Sequence, residues 1–169
     1  MNLVILPGNS LNNKEWATLV SKSFISDFNY IYKQSYDHWK SGEEFINLDK
    51  EIEKLIENIP EPPFFVLAKS AGSILTVKAI IEGKLKPEKC VFLGFPLNWV
   101  RENNFPLDYW LEDYSVPTLI IQKTNDPVTS YKELVNSKII QKKENIKTLE
   151  IPGADHKYNN FGLIKEKMG

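Results

Sequence analysis

The chain is short of the residues that build metal centres and disulfide scaffolds: of 169 residues, one is cysteine and two are histidine. Cys90 alone cannot close an internal disulfide, so a reducing, cytoplasmic setting is the simplest expectation. His38 and His156, with no further His/Cys/Glu cluster at ligand spacing, do not form a recognisable metal site, and no cofactor is expected. Charge of one sign is lacking as well. The 21 Lys and Arg against 22 Asp and Glu leave a net charge of −1, which gives no long-range attraction for nucleic acid or an anionic membrane. No apolar run approaches the ~20 residues that a bilayer span requires. The opening stretch, Met1 to Gly8, has no basic segment and reads as a strand rather than a signal peptide. Linkers, repeats and low-complexity tracts are missing too. Residues 1–169 therefore read as one domain, and the 42% of hydrophobic residues suffices for a sizeable core.

What the chain does have is alternation. Apolar runs of strand length at Leu3–Leu6, Asn29–Tyr32, Phe64–Ala68, Lys89–Leu93, Thr118–Gln122 and Ile146–Ile151 are separated by amphipathic segments. Helices are predicted over Lys14–Phe24, Phe45–Ile59, Ala71–Glu82, Ser130–Ile140 and Asn159–Met168 from their apolar spacing and their Pro or Gly stops. Strands apolar on both faces and alternating with helices imply an α/β fold, a three-layer sandwich around a mostly parallel six-stranded sheet. The stretch 94–115 is less regular and rich in aromatics. It reads either as a loop packed on the core or as a lid over a binding site. Cys90 opens an apolar run and reads as a packing residue, with a nucleophilic role as the alternative.

The third apolar run ends in Ala68-Lys69-Ser70-Ala71-Gly72, and a helical segment follows at once. This small-x-Ser-x-Gly layout is that of a nucleophile elbow, a sharp strand-to-helix turn that exposes one hydroxyl above the sheet. The plainer alternative for Ser70 is an ordinary helix N-cap. A serine hydroxyl needs a base, and the base needs an acid to orient it. In a parallel sheet such groups gather at the carboxyl ends of the strands. Asp126 lies just past the fifth apolar run and His156 just past the sixth. The order Ser70, Asp126, His156 therefore supplies nucleophile, acid and base. Asp155 and Asp113 are alternative acids. Asp155 adjoins His156, and neighbours in sequence rarely face each other well enough to hold an imidazole.

An oxyanion needs two N–H donors. Ala71, directly after Ser70, is one. The loop Pro7-Gly8-Asn9-Ser10 after the first strand offers the other, from Asn9 or Ser10. A single glycine in that loop matches neither nucleotide-binding glycine motif. The substrate pocket is expected to draw on Ser10, Trp16, His38, Trp39, Phe95, Trp110 and Val128. The plainer reading of His38 is a loop histidine between aromatics.

With Leu6-Pro7-Gly8-Asn9-Ser10, Ala68-Lys69-Ser70-Ala71-Gly72, Asn125-Asp126-Pro127-Val128 and Gly153-Ala154-Asp155-His156 in order, the chain resembles the α/β-hydrolase superfamily over its whole length. It looks like the small, cap-poor serine hydrolases of the retinoblastoma-binding-protein-9-like type. Two departures are visible: Ala68 stands for the first elbow glycine, and the loop after the first strand lacks the His-Gly pair common in the superfamily. The resemblance implies strand order 2-1-3-4-5-6, a minimal α/β-hydrolase fold. It also implies that Ser70 attacks an ester, thioester or amide while His156, oriented by Asp126, removes its proton, and that the Ala71 and Asn9 amides hold the oxyanion. A small-molecule ester or thioester is the expected partner, with no nucleic acid and no membrane, and the chain is expected as a monomer or weak homodimer. The competing readings are a catalytically weak binding or protein-interaction module on the same scaffold, and an acyltransferase or thioesterase using the same residues.

Overall fold

Leu3 and Ile5 face one side of the first strand and Val4 and Leu6 the other, and all four are fully buried. A strand with two apolar faces needs a packed layer on each. In the computed structural model, which describes residues 1–168, both layers are present. The strands are β1 (Asn2–Leu6), β2 (Tyr30–Lys33), β3 (Phe64–Lys69), β4 (Lys89–Leu93), β5 (Thr118–Lys123) and β6 (Ile146–Ile151). They form one sheet in the order β2-β1-β3-β4-β5-β6. Every pairing is parallel.

The helices are α1 (Asn13–Phe24), α2 (His38–Ser41), α3 (Leu48–Ile56), α4 (Ala71–Ile81), α5 (Leu97–Glu102), α6 (Leu107–Glu112), α7 (Tyr131–Val135), α8 (Lys138–Gln141) and α9 (Phe161–Met168). One apolar layer joins Val4, Leu6, Val66 and Phe92 of the sheet to α3, α4 and α6. The other joins Leu3, Ile5, Leu67 and Val91 to Trp16, Val20 and Phe24 of α1 and Ile164 and Met168 of α9. α4 is buried almost all round, from Ala71 to Val77 without interruption, as its largely apolar sequence requires.

Several boundaries differ from the sequence expectation, each for a local reason. α3 starts at Leu48 rather than Phe45 because the Asn47 side chain caps the Lys50 N–H at 3.1 Å. α9 starts at Phe161, where the Asn160 side chain accepts from the Leu163 N–H at 3.1 Å. The single helix expected over Ser130–Ile140 is two short ones, because Ser137 takes an extended conformation (φ −70°, ψ 117°) between α7 and α8. The 94–115 connection carries α5 and α6. Its aromatics pack inward: Phe105 stacks on Trp110 with centroids 5.9 Å apart and lies 5.2 Å from Trp99. Leu97, Val100, Leu107 and Trp110 belong to the core, so this segment is the core-packed connection of the two readings.

The strand order turns back between β1 and β3. Their outgoing loops therefore diverge and leave a crevice at the carboxyl ends of the two central strands.

Candidate active site

Ser70 sits directly past the end of β3 and opens α4 with φ 50° and ψ −123°. A non-glycine residue rarely takes this conformation, and holding it costs of order 1–3 kcal/mol. The Ser70 N–H is fixed by the Leu93 carbonyl at 2.9 Å, and its own carbonyl accepts from the Ser73 N–H at 2.8 Å. Gly72 explains the small residue two places on. A Cβ there would lie 2.1 Å from the Leu6 carbonyl oxygen and 2.6 Å from that of Pro7, so α4 crosses against the end of β1 with no room for a side chain.

Asp126 and His156 meet, although 30 residues separate them. His156 Nδ1 lies 2.7 Å from Asp126 Oδ2 and 2.9 Å from Oδ1. A carboxylate only accepts, so Nδ1 carries a hydrogen, and in the neutral imidazole the lone pair is on Nε2. That Nε2 is buried and meets no hydrogen-bond partner among the described residues. No hydrogen bond joins it to the Ser70 hydroxyl, and such bonds commonly tighten only when substrate arrives. Asp126 is 3% exposed. Burial alone would raise its pKa, but hydrogen bonds from His156 and Tyr158, with the Val128 N–H, hold it below the usual carboxylate range. Asp155 stands apart: it is exposed, pairs with Lys123 Nζ at 2.8 Å and accepts from the Lys157 N–H. Asp113 ends α6 as an exposed residue.

The loop after β1 is pinned from three sides. The Tyr36 hydroxyl donates to the Pro7 carbonyl at 2.6 Å. His38 Nε2 and Trp39 Nε1 both donate to the Asn9 carbonyl at 2.7 Å. The Asn9 side chain bridges the Glu44 carbonyl and the Ile46 N–H. Every polar group of Asn9 except its backbone N–H is thus occupied. Among the described residues, neither the Asn9 nor the Ala71 N–H donates to a protein acceptor. An oxyanion site requires two such free donors.

Ser10, Trp16 and His156 line an open cleft of about 680 Å³ beside the elbow, together with Asn13 and Lys69. The other pocket residues expected from sequence sit elsewhere. His38 and Trp39 support the Asn9 loop, as described. Phe95 is 1% exposed and stacks on Phe92, and Trp110 is in the core. Both were expected to face substrate as aromatics of the irregular 94–115 connection, but each fills the layer over the sheet. Val128 meets the site through its N–H, which donates to Asp126 Oδ1 at 2.9 Å. Burial pushes the Cys90 thiol up to about 12, consistent with packing. Among the described residues, no three His, Cys, Asp or Glu side chains gather as a metal site, and no helix is long and apolar enough to cross a membrane.

Three residues that the sequence reading passed over also shape the site. The Tyr158 hydroxyl donates to Asp126 Oδ2 at 2.6 Å and accepts from the Lys123 N–H at 3.1 Å. Gln122 is fully buried and ties the Phe95 N–H to the Thr129 carbonyl, joining the loops after β4 and β5. Lys69, immediately before Ser70, is buried against α1 and donates to Asn13 Oδ1 at 2.8 Å. A buried lysine or glutamine in an apolar strand is itself a signal, since strands so placed rarely carry polar side chains without use.

The sequence matches the alpha/beta hydrolase domain family over residues 12–164. No curated protein matches it at the sequence level. Among solved structures, an uncharacterized protein from Bacillus cereus ATCC 10987 superposes over 99% of this chain with a TM-score of 0.75 at 16% identity, and the chain spans 58% of that protein. Alpha/beta hydrolase domain-containing protein 10 from mouse aligns over 99% of this chain and 87% of its own, with a TM-score of 0.73 and 13% identity. An esterase from Pyrococcus furiosus gives 0.70 at 15% identity, covering 99% and 78%. Likeness at such identities speaks to the fold. The family match spans most of the chain, and with the parallel sheet and the elbow at its centre, the protein belongs to the alpha/beta hydrolase domain family.

Proposed function

We propose that the protein is a serine hydrolase of the carboxylesterase type, cleaving a small ester or thioester through Ser70, His156 and Asp126. The observation that carries this reading is the bare, buried Nε2 of His156. Its other nitrogen is held by Asp126, and a serine with positive φ opens the helix at the elbow. Ser70 Oγ attacks the carbonyl carbon as Nε2 takes its proton, and Asp126 stabilises the imidazolium. The Ala71 and Asn9 amides receive the developing oxyanion. The imidazolium then protonates the departing alcohol or thiol, leaving an acyl-enzyme. Water, deprotonated by the same Nε2, attacks the acyl carbon and returns Ser70.

Within the superfamily, the small, cap-poor branch suits a chain whose 94–115 connection is packed into the core rather than raised over the site. A single buried thiol suits a reducing, cytoplasmic setting. The second reading, a binding module with little turnover, draws on the lack of a hydrogen bond between Ser70 and His156. Intact-mass labelling with a neutral fluorophosphonate separates the two. One adduct on the wild type and none on Ser70→Ala is the expected result; no adduct on either would favour the binding module.

A further inference from the structure

Lysine is seldom buried, and when it is, a carboxylate normally neutralises it. Lys69 departs from this rule. It is 7% exposed, and no carboxylate lies within ion-pair distance of it among the described residues. Its ammonium donates one hydrogen bond, to Asn13 Oδ1, and stands 5.5 Å from the centre of the Trp16 ring. An ammonium has three donors, and Asn13 Oδ1 is the one protein acceptor they meet among the described residues. Burial lowers its pKa to about 8, which leaves most of the population charged at neutral pH.

The position of this charge gives it meaning. Lys69 is covalently next to Ser70 and lines the cleft that His156 also lines. The acids lining that cleft, Glu15 and Asp155, are exposed, and Asp155 is already paired with Lys123; Asp126 and Asp155 act on Lys69 through their charge without an ion-pair contact. If only packing between β3 and α1 were needed, a methionine or leucine would fill the space without the cost of desolvating a charge. A buried cationic side chain in the lining of the cleft, with no ion-pair partner among the described residues, suits an anion that arrives from solution. A single compact cation, with no arginine fork beside it, matches one singly charged group rather than a phosphate dianion.

We propose that Lys69 binds a free carboxylate on the substrate, so that the substrates of this site are short esters carrying one carboxylate, such as half-esters of dicarboxylic acids. The identity of the reaction rests on the serine-hydrolase reading; the binding of the carboxylate does not.

The test is calorimetric titration of Ser70→Ala, which cannot turn the ester over, with monomethyl glutarate and with dimethyl glutarate. The monoanion should bind at least tenfold more tightly than the neutral diester. Adding Lys69→Met should abolish the difference, and Lys69→Gln, which keeps a polar group for Asn13, should abolish it too. Equal affinity for the two esters in Ser70→Ala, or a preference that survives loss of the lysine, overturns the proposal. Should neither lysine variant fold, the comparison of the two esters in Ser70→Ala still decides. Fluorophosphonate labelling of the wild type separates the two claims. Labelling without a carboxylate preference sinks only the Lys69 site. A preference without labelling sinks the hydrolase reading and leaves the Lys69 site standing.

Discussion

The Tyr158 hydroxyl donates to Asp126 Oδ2 at 2.6 Å, and this is the oxygen that lies 2.7 Å from His156 Nδ1. The tyrosine ring also meets the imidazole edge to face, with centroids 5.9 Å apart. One residue thus fixes both the acid and the plane of the base. A hydrogen bond to a charged group contributes about 1.5–3 kcal/mol. Tyr158→Phe should therefore lower stability by about 1–3 kcal/mol in urea unfolding and reduce kcat roughly tenfold with little change in KM. An unchanged kcat in a folded variant would show that Asp126 needs no such help.

Ser70 holds a backbone conformation with φ 50° that glycine adopts more readily. Ser70→Gly relieves the positive φ but adds freedom to the unfolded chain, so the net change is expected to lie between zero and a gain of about 1 kcal/mol. Thermal unfolding should show a melting temperature equal to or above that of the wild type, while fluorophosphonate labelling is lost. A clear fall in melting temperature would mean that the serine side chain itself stabilises the turn.

Two glycines make opposite predictions. Gly72→Ala places a methyl group 2.1 Å from the Leu6 carbonyl oxygen. Backbone cannot easily yield, so a loss of about 2–4 kcal/mol is expected in chemical denaturation. At Gly94 (φ +61°) a Cβ would sit 2.7 Å from His156 Cε1 and Tyr158 Cε2. Side chains can move, so Gly94→Ala should fold but lose most of its turnover as the imidazole swings away from Asp126. Full activity in Gly94→Ala would contradict the crowded geometry.

The depressed pKa of Asp126 links folding to pH. A carboxylate with a folded-state pKa below its unfolded value contributes stability above the unfolded value, about 3.9, and that contribution is lost as pH falls through the folded one. Urea midpoints measured from pH 6 down to pH 2 should fall for the wild type, and the part due to this residue should vanish in Asp126→Asn. Asp126→Asn should also lose orders of magnitude in turnover, whereas Asp155→Asn should lose little. The reverse pattern would transfer the acid role to Asp155.

Much of the architecture was legible from the chain. Leu3 to Leu6 and Cys90 to Leu93 are apolar at every position, and only a strand covered on both faces uses such a run. The elbow at Ser70 and the strand ends before Asp126 and His156 were legible for a related reason: small residues, turns and strand ends leave local marks. What failed was the reading of aromatics. Phe95 and Trp110 belong to an aromatic-rich connection that could have lined a pocket, yet they are core, because an aromatic ring serves either place and its neighbours decide which. His38 and Trp39 were near the right place for the wrong purpose, since they hold the Asn9 carbonyl rather than a substrate.

The sequence by itself determined the alternation of strands and helices, the tight turn at Ser70 and the order in which Ser70, Asp126 and His156 follow their strands. Each of these is written in residues close together along the chain. Tertiary structure alone decided that Tyr158 reaches Asp126 across 32 residues, that His38 and Trp39 close on Asn9 across 29 and 30, and that Lys69 faces Asn13 across 56. Bonds of that reach follow no local period. They exist because the parallel sheet brings the carboxyl ends of distant strands to one edge, where side chains with no mutual signal in sequence complete one another's hydrogen bonds.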